Sequence, residues 1–256
     1  MLGLGSTVTT FEKPFSPDDI NNLVRWFKCN TGIRANADAS GTTVDHTTDA
    51  GNMADGDQIN RWVDQTGGAD ARQGTADDKP HWEVDELGAL KFDNTADMTF
   101  TTVTIAENTD FTIIFRLKPI TFSTDVLISD GSNDFLRFGS NANIRAKIGG
   151  AGNNNFNDGS NTISTSVYST IIFVRSSGSD GVLNIYVKPS NGSEIDWASG
   201  HSNTDSDELT LSMIGAESDD SKSLDAFVKD ILIYNGTALT EFERKDMYSY
   251  LETQTY

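Results

Sequence analysis

Apolar residues in this chain fall into short runs separated by clusters of Gly, Asn, Asp, Ser and Thr, and the most apolar run is Ala226 to Tyr234. Read as an extended segment, it puts Val228, Leu232 and Tyr234 on one face and Phe227, Ile231 and Ile233 on the other. A strand that is apolar on both faces is expected to be buried on both. Asn235, Gly236 and Thr237 end the pattern with turn residues. Thr240, Glu241, Phe242 and Glu243 then supply a capping box, in which a hydroxyl and a carboxylate each satisfy an orphan amide. The spacing predicts a short C-terminal helix that lies on a sheet, with Leu239, Phe242 and Leu251 toward it and most of the Glu241–Asp246 charges away from it.

Upstream, the same alternation recurs. Leu23–Lys28 reads as a first strand, with Leu23, Arg25 and Phe27 on one face and Val24 and Trp26 on the other. Phe111, Ile113, Phe115 and Leu117 share one face of a half-buried strand. Val126–Ser129 and Phe135–Phe138 flank the turn residues Asp130 and Gly131 as a hairpin. Further strands are expected at 143–148, 167–175, 182–188 and 209–214. Between them lies a long polar stretch, Asn30–Gln58, a candidate loop for binding or for contact between subunits. About a dozen strands, one terminal helix and no βαβ rhythm predict an all-β fold, a two-sheet antiparallel jelly-roll sandwich. Residues 1–22, with Pro14 and Pro17, read as an N-terminal arm, and residues 23–256 as a single domain. Phe11 and Phe15 are aromatic anchors that a merely solvated tail would lack, and they would pin the arm either to the domain's own surface or to a neighbouring subunit, which makes the arm a candidate assembly element.

Particular residues carry a family resemblance. The closing Lys229–Asn235 strand, followed by Ala238, Leu239, Thr240 and Glu243, is similar to the end of laminin-G-like domains of the concanavalin A-like lectin/glucanase superfamily. Earlier come Trp26 in a first strand, then Trp62, Asp64, Thr66 and Gly67, then Ala71 and Gln73, then Lys79 and Pro80, then Phe92 and Asp93. That order resembles phage and bacterial members of the same group, with Thr66 where serine is usual. The resemblance spans Leu23 to Leu251 and implies a concanavalin A-like fold. It also implies that calcium could be held by loop carboxylates, here Asp55 and Asp57, Asp205, Asp207 and Glu208, or Asp219 and Asp220, none of which matches a calcium-loop consensus. No other cofactor is expected.

The 38 acidic against 19 basic residues give a net charge of -19, which repels phosphate backbones and anionic membranes, so neither nucleic acid nor membrane is an expected partner. A single cysteine, Cys29, excludes an intramolecular disulfide and reads as a buried small apolar residue. The opening residues lack the basic and apolar regions of a secretory signal.

Candidate chemistry is sparse. Glu83, Asp85 and Glu86 resemble half of the strand-borne carboxylate motif of the superfamily's glucanases, but Glu86 comes one residue too early to share a strand face with Glu83. Glu194 and Asp196 open the same pattern without a second glutamate. His46, His81 and His201 lack zinc-ligand spacing. Trp26 and Trp62 read as core, whereas Trp197, beside a polar loop, is the one tryptophan to test as a sugar platform.

The start Met-Leu-Gly-Leu-Gly-Ser, together with the acidic single-domain architecture, resembles virion proteins of tailed marine phages. The expectation is therefore a non-enzymatic structural or adhesion protein of a phage particle, a head decoration or a tail or fibre component. It would be made in the host cytoplasm and would partner other virion proteins, copies of itself and, in the adhesion reading, a glycan. The rivals are a free carbohydrate-binding module and a β-glucanase using Glu83 and Asp85.

Overall fold

The computed structural model describes residues 13–29, 31–36, 43–45, 53–131, 133–139, 143–149, 154–156, 163–176, 182–202, 208–217 and 222–254. The strands are β1 (Leu23–Lys28), β2 (Ile33–Asn36), β3 (Thr43–Asp45), β4 (Ile59–Trp62), β5 (Ala71–Arg72), β6 (His81–Glu83), β7 (Ala89–Asp93), β8 (Met98–Ile105) and β9 (Phe111–Pro119). They continue with β10 (Val126–Ser129), β11 (Phe135–Phe138), β12 (Ile144–Lys147), β13 (Asn154–Phe156), β14 (Ser169–Ser176), β15 (Val182–Pro189), β16 (Ile195–Ser202), β17 (Leu209–Ile214) and β18 (Asp225–Asn235). One helix, α1 (Glu241–Thr253), closes the described chain.

All the pairings are antiparallel and form two sheets, the expected sandwich. The first sheet runs β16-β15-β14-β9-β18-β7-β6, with β1 also on β18; the second runs β13-β12-β11-β10-β17-β8-β5-β4-β2-β3. Between them lies one large apolar layer, with Phe115, Phe173, Val228, Ile231 and Ile233 from the first sheet meeting Trp62, Met98, Leu127, Leu136 and Leu211 from the second. Gly215, at φ +90, ends β17 where an added Cβ would come within 2.6 Å of the Phe92 ring, so both backbone and space demand glycine there.

β18 is buried along nearly its whole length, as its pattern predicts. It is hydrogen-bonded to β9 on one edge and to β7 and β1 in succession on the other. Its faces differ from a simple alternation, because the register shifts between Val228 and Asp230. That bulge turns Val228 inward with Ile231 and Ile233, while Leu232 and Tyr234 face the helix. A second shift between Leu23 and Arg25 does the same in β1: Val24 and Phe27 face the sandwich interior, and Leu23 and Trp26 face outward. One extra residue inverts every side chain beyond it.

The capping box at α1 forms as expected, with Thr240 and Glu243 exchanging hydrogen bonds. Met247, Tyr248 and Leu251 are buried and meet Trp26, Ile114, Ile172, Leu232 and Tyr234 on the outer face of the first sheet. Phe242, expected toward the sheet, is 73% exposed instead. The buried stripe runs 244, 247, 248, 251, the i, i+3, i+4, i+7 set, and position 242 lies off it. Arg244 in that stripe clamps the helix, bidentate to Glu194 at 3.0 and 3.1 Å, with its guanidinium 3.5 Å from the Tyr186 ring centre. Because the helix covers it, β9 is buried on both faces and not, as expected, on one.

Two further expectations are corrected. The 30–58 stretch is not one loop in its described parts, for β2 and β3 extend the second sheet beyond β4. Phe11 lies outside the described residues, but Phe15 packs edge-on against Tyr250 with centroids 6.2 Å apart, and the buried Tyr234 hydroxyl donates to the Pro17 carbonyl at 2.9 Å. Residues 13–22 are therefore tied to their own domain, and Phe15 buries its apolar surface intramolecularly.

Two outcomes follow from this packing. Trp62→Ala and Tyr234→Ala should each cost about 3–5 kcal/mol in urea unfolding, the range for large buried side chains, and Trp197→Ala should match them, because Trp197 is 4% exposed within the inner layer. Removing residues 1–17 strips Phe15 and the Pro17 carbonyl from α1 and β18. The thermal midpoint should fall, by about 2–4 °C for each kcal/mol lost, and an unchanged midpoint would show that the segment contributes nothing to the fold.

Candidate functional site

The two sheets offer different outer faces. That of the first sheet lies under α1 and residues 13–22, whereas that of the second carries exposed hydroxyls and cations. Register defines it. Arg34 pairs with Arg61, Arg61 with Arg72, Arg72 with Thr99, Thr99 with Met213, Met213 with Ser129, Ser129 with Phe135 and Phe135 with Lys147. Directly paired residues share a face. Their chain neighbours Ile33, Ala35, Trp62, Ala71, Met98, Ile214, Ile128, Leu136 and Ala146 belong to the inner layer, so this transverse row points outward. Arg137, paired with Arg145, sits on the same face two residues beyond Phe135.

At the Arg72–Thr99 step the row opens into a cleft of about 420 Å³ lined by Gly68, Ala69, Asp70, Arg72 and Thr99–Thr101. The Trp62-Val63-Asp64-Gln65-Thr66-Gly67 segment builds its wall. Asp64, 3% exposed, accepts hydrogen bonds from the Trp26 amide at 3.0 Å, the Thr66 amide at 3.0 Å and the Thr66 hydroxyl at 2.9 Å, and lies 3.6 Å from Arg25. The motif thus fastens β1 to the turn after β4 and has a structural task. A Cβ on Gly68 would come within 2.4 Å of the Asp64 carboxylate and 2.6 Å of Arg25, so a larger residue there would have to displace the side chains that make this clasp. Asp70 follows, held by Arg61 at 2.5 Å, with Arg72 at 3.6 Å. Arg72 itself is 64% exposed.

At the far end, Arg137 is 5% exposed, lies 3.2 Å from Glu217, and has its guanidinium 4.2 Å from the Phe135 ring centre. Lys222 takes the other Glu217 oxygen. Burial pushes the Arg137 pKa down, Glu217 opposes that shift, and Arg145 adds to it by repulsion. The acidic groups here are already engaged: Glu217 by two cations, and Asp134 by the backbone amides of Gly149 and Thr210. The arrangement suits polyhydroxylated or anionic ligands, because hydroxyls, guanidinium forks and a shallow cleft share one surface.

Sequence reading missed this row. Its signal was available, since each of these arginines is flanked by an apolar residue of opposite facing, but only pairing brings Arg34, Arg61 and Arg72 side by side.

The residues singled out from sequence lie elsewhere. Trp197 is a correction: it packs into the inner layer, so its ring faces are occupied and offer a sugar nothing to stack on. Glu83 ends edge strand β6 and lies 3.6 Å from Lys91. Glu86 is in the following turn, where its side chain reaches Lys118 and the Tyr168 hydroxyl, so these glutamates turn to separate cations. Glu194 serves Arg244. Asp55 and Asp57 accept the amides of Val84 and Ala54. Among the described residues no three His, Cys, Asp or Glu side chains form a metal-holding group; Asp205, Asp207, Asp219, Asp220 and His46 lie outside them. His81 lies 3.5 Å from Asp93. Cys29 is buried, donates to the Val228 carbonyl, and has its thiol pKa pushed up by burial.

A family model described as the concanavalin A-like lectin/glucanases superfamily matches residues 92–243, more than half of the chain. No curated protein matches the sequence. Among solved structures, a mutant GH54 α-L-arabinofuranosidase soaked with 4-nitrophenyl α-L-arabinofuranoside superposes with a TM-score of 0.67 at 11% identity, over 91% of this chain and 63% of that one. A Trypanosoma rangeli sialidase superposes with a TM-score of 0.50 at 13% identity, over 91% of this chain and 33% of the sialidase. At such identities these likenesses show the fold.

On the first sheet's outer face, away from the helix, Tyr168 meets Arg116, Lys118 and Lys229, with the Lys229 ammonium 4.5 Å from its ring centre. Burial lowers the Lys229 pKa from 10.5 to about 8, against the opposing pull of Asp230 and Glu86. A lysine depressed in the folded state binds fewer protons than in the unfolded state between pH 8 and 10.5. Its contribution to stability therefore rises with pH across that window. Tyr168, raised by burial, and Cys29 act in the opposite sense at high pH, so the difference from Lys229→Met isolates the lysine. The stability advantage of Lys229→Met over the native chain should shrink from pH 7.5 to 10.5 in urea titrations; a constant difference would place the pKa near its ordinary value.

Proposed function

The chain belongs to the concanavalin A-like lectin/glucanase superfamily, and on that footing we propose that it is a non-catalytic adhesion module that binds glycan across the outer face of its second sheet. One observation carries this reading. The cleft and the Arg72–Thr99 row form a polar, hydroxyl-bearing surface on rigid strands, while the opposite outer face is occupied by the chain's own helix. Strand-borne side chains hold their positions without loop ordering, which lowers the entropic cost of binding.

The non-catalytic part is supported by the carboxylates. Glycoside hydrolysis needs two carboxyl groups flanking one bond, about 5–10 Å apart, and Glu83 and Glu86 are instead engaged by Lys91 and by Lys118 with Tyr168. We place the module in a tailed-phage particle, as a head decoration or a tail or fibre component, on the strength of the sequence resemblance. Other virion proteins and further copies of the chain would be its partners there, with Phe11 as the remaining apolar anchor of the arm.

A glycan microarray checks the binding reading. The protein should bind a subset of polysaccharides, and Thr99→Trp, which sets an indole in the cleft at an exposed position, should abolish the signal with an unchanged unfolding midpoint. Binding that survives Thr99→Trp would move the site off this face. Incubation with β-glucans should release no reducing sugar, and release abolished by Glu83→Gln would establish a hydrolase. Imaging of purified particles with an antibody to this chain decides the virion assignment.

A further inference from the structure

We infer that the chain carries a second ligand site, separate from the cleft at Thr99, and that it takes an amino sugar, whose hydroxyls and protonated amine meet oxygen acceptors above an apolar floor. The site is a cleft of about 410 Å³ where residues 18–23 meet β1 and the turn after β4, a volume within the range of small-molecule sites. Ile20, Leu23 and Trp26 supply its apolar lining, and Asp18, Asn21, Asn22, Gln65 and Thr66 its polar lining. Asp18, Asn21, Asn22 and Thr66 are exposed and Gln65 is half-buried, whereas Ile20 and Trp26 are 8% and 9% exposed. The cleft therefore has an open polar rim and a closed apolar base.

Hydrogen bonds already made within the fold decide what the rim can still offer. The Asn22 amide nitrogen donates to the Gly236 carbonyl at 3.3 Å and to the Thr237 hydroxyl at 3.0 Å, and the Gln65 amide nitrogen donates to the carbonyls of Thr31 and Val63 at 3.3 and 3.1 Å. Each is left with its carbonyl oxygen, an acceptor. Thr66 gives its hydroxyl proton to Asp64 at 2.9 Å and keeps acceptor lone pairs, and Asp18 brings a carboxylate. No cation lines the cleft among the described residues, and Lys13 is taken by Asp19 at 2.6 Å. An excess of acceptors calls for a ligand rich in N–H and O–H donors and rejects carboxylates, sulfates and phosphates. A protonated amine answers Asp18, and hydroxyls answer the remaining oxygens. Trp26 makes the opposite demand, because its buried indole N–H has no acceptor among the described residues. A sugar hydroxyl both donates and accepts, whereas an alkyl ammonium only donates.

The walls are set before any ligand arrives. Asp64 holds the Trp26 and Thr66 amides at 3.0 Å each, the Asn22 carbonyl accepts from the Asn235 amide at 3.0 Å, and the Thr237 hydroxyl donates to the Asn21 carbonyl at 3.1 Å. Little ordering cost remains to oppose binding.

The test is calorimetry on the full chain at about pH 6, where a sugar amine carries its proton. The probes are a glucosamine oligomer, its N-acetylated counterpart, a cello-oligosaccharide, an oligogalacturonate and a short oligolysine. The glucosamine oligomer should bind at least about tenfold more tightly than each of the others. Asp18→Asn, at an exposed position, should remove that advantage with an unchanged unfolding midpoint, while Thr99→Trp should leave it intact. Equal binding of the free and N-acetylated oligomers, indifference to Asp18→Asn, or no binding would overturn the inference. Oligolysine bound as tightly as the glucosamine oligomer would overturn it in favour of a general cation site. Loss of glucosamine-oligomer binding in Thr99→Trp would place the ligand in the other cleft, which overturns the second site and leaves the glycan-binding face of the second sheet standing.

Discussion

The double burial of β18 is the constraint from which the rest of the architecture follows. A strand with apolar side chains on both faces and hydrogen-bonded neighbours on both edges cannot face water anywhere. One face needs a second sheet, and the other needs a helix. Phe115, Phe173 and the second sheet's inner residues cover Val228, Ile231 and Ile233, while Met247, Tyr248 and Leu251 cover Leu232 and Tyr234. The order of events along the chain matches that need, for the turn after Asn235 and the capping box at Thr240 bring the helix back over the strand it has just left. Arg244 and Glu194 lock it there, in a partly desolvated pair strengthened by two hydrogen bonds and the Tyr186 ring.

Covering one outer face assigns the other to whatever the protein meets. The second sheet needs no helix over β5 and β8, where Arg72, Thr99 and Thr101 are exposed, whereas Ser129, Phe135 and Arg137 farther along the row are buried. Asp64 matters to this surface although it does not line the cleft. By joining Trp26, Thr66 and Arg25 it fixes the turn that holds Gly68 and Asp70, and so the cleft wall. The segment that signalled family membership thus acts as a clasp, and the residues that give the face its character lie on the strands beside it.

Charge divides the molecule in the same way. The bulk of the chain is acidic, which keeps polyphosphates away, while on the second sheet Arg61 is paired with Asp70 and Arg137 with Glu217. The cationic cluster about Tyr168 on the first sheet differs in kind. There the cations lie on an aromatic ring and Lys118 is paired with Glu86, which ties the turn after β6 to β9.

From the sequence alone came the fold class, the buried closing strand, the capped helix, and Trp62 and Tyr234 as core residues. Each is encoded locally: an apolar run, a hydroxyl three residues before a glutamate, an aromatic set among strand-forming neighbours. Errors arose where one local count was carried too far. The bulges in β1 and β18 reversed the faces read from strict alternation, and Phe242 fell off a stripe whose position only the sheet beneath it selects. Trp197 and Phe15, read as surface groups from their polar surroundings in sequence, are claimed by the inner layer and by Tyr250, partners far away in the chain. The arginine row was beyond local reading for the same reason. Arg34, Arg61 and Arg72 carry no signal one at a time, and they stand side by side only because antiparallel pairing sets strands that are distant in sequence next to one another in a fixed register.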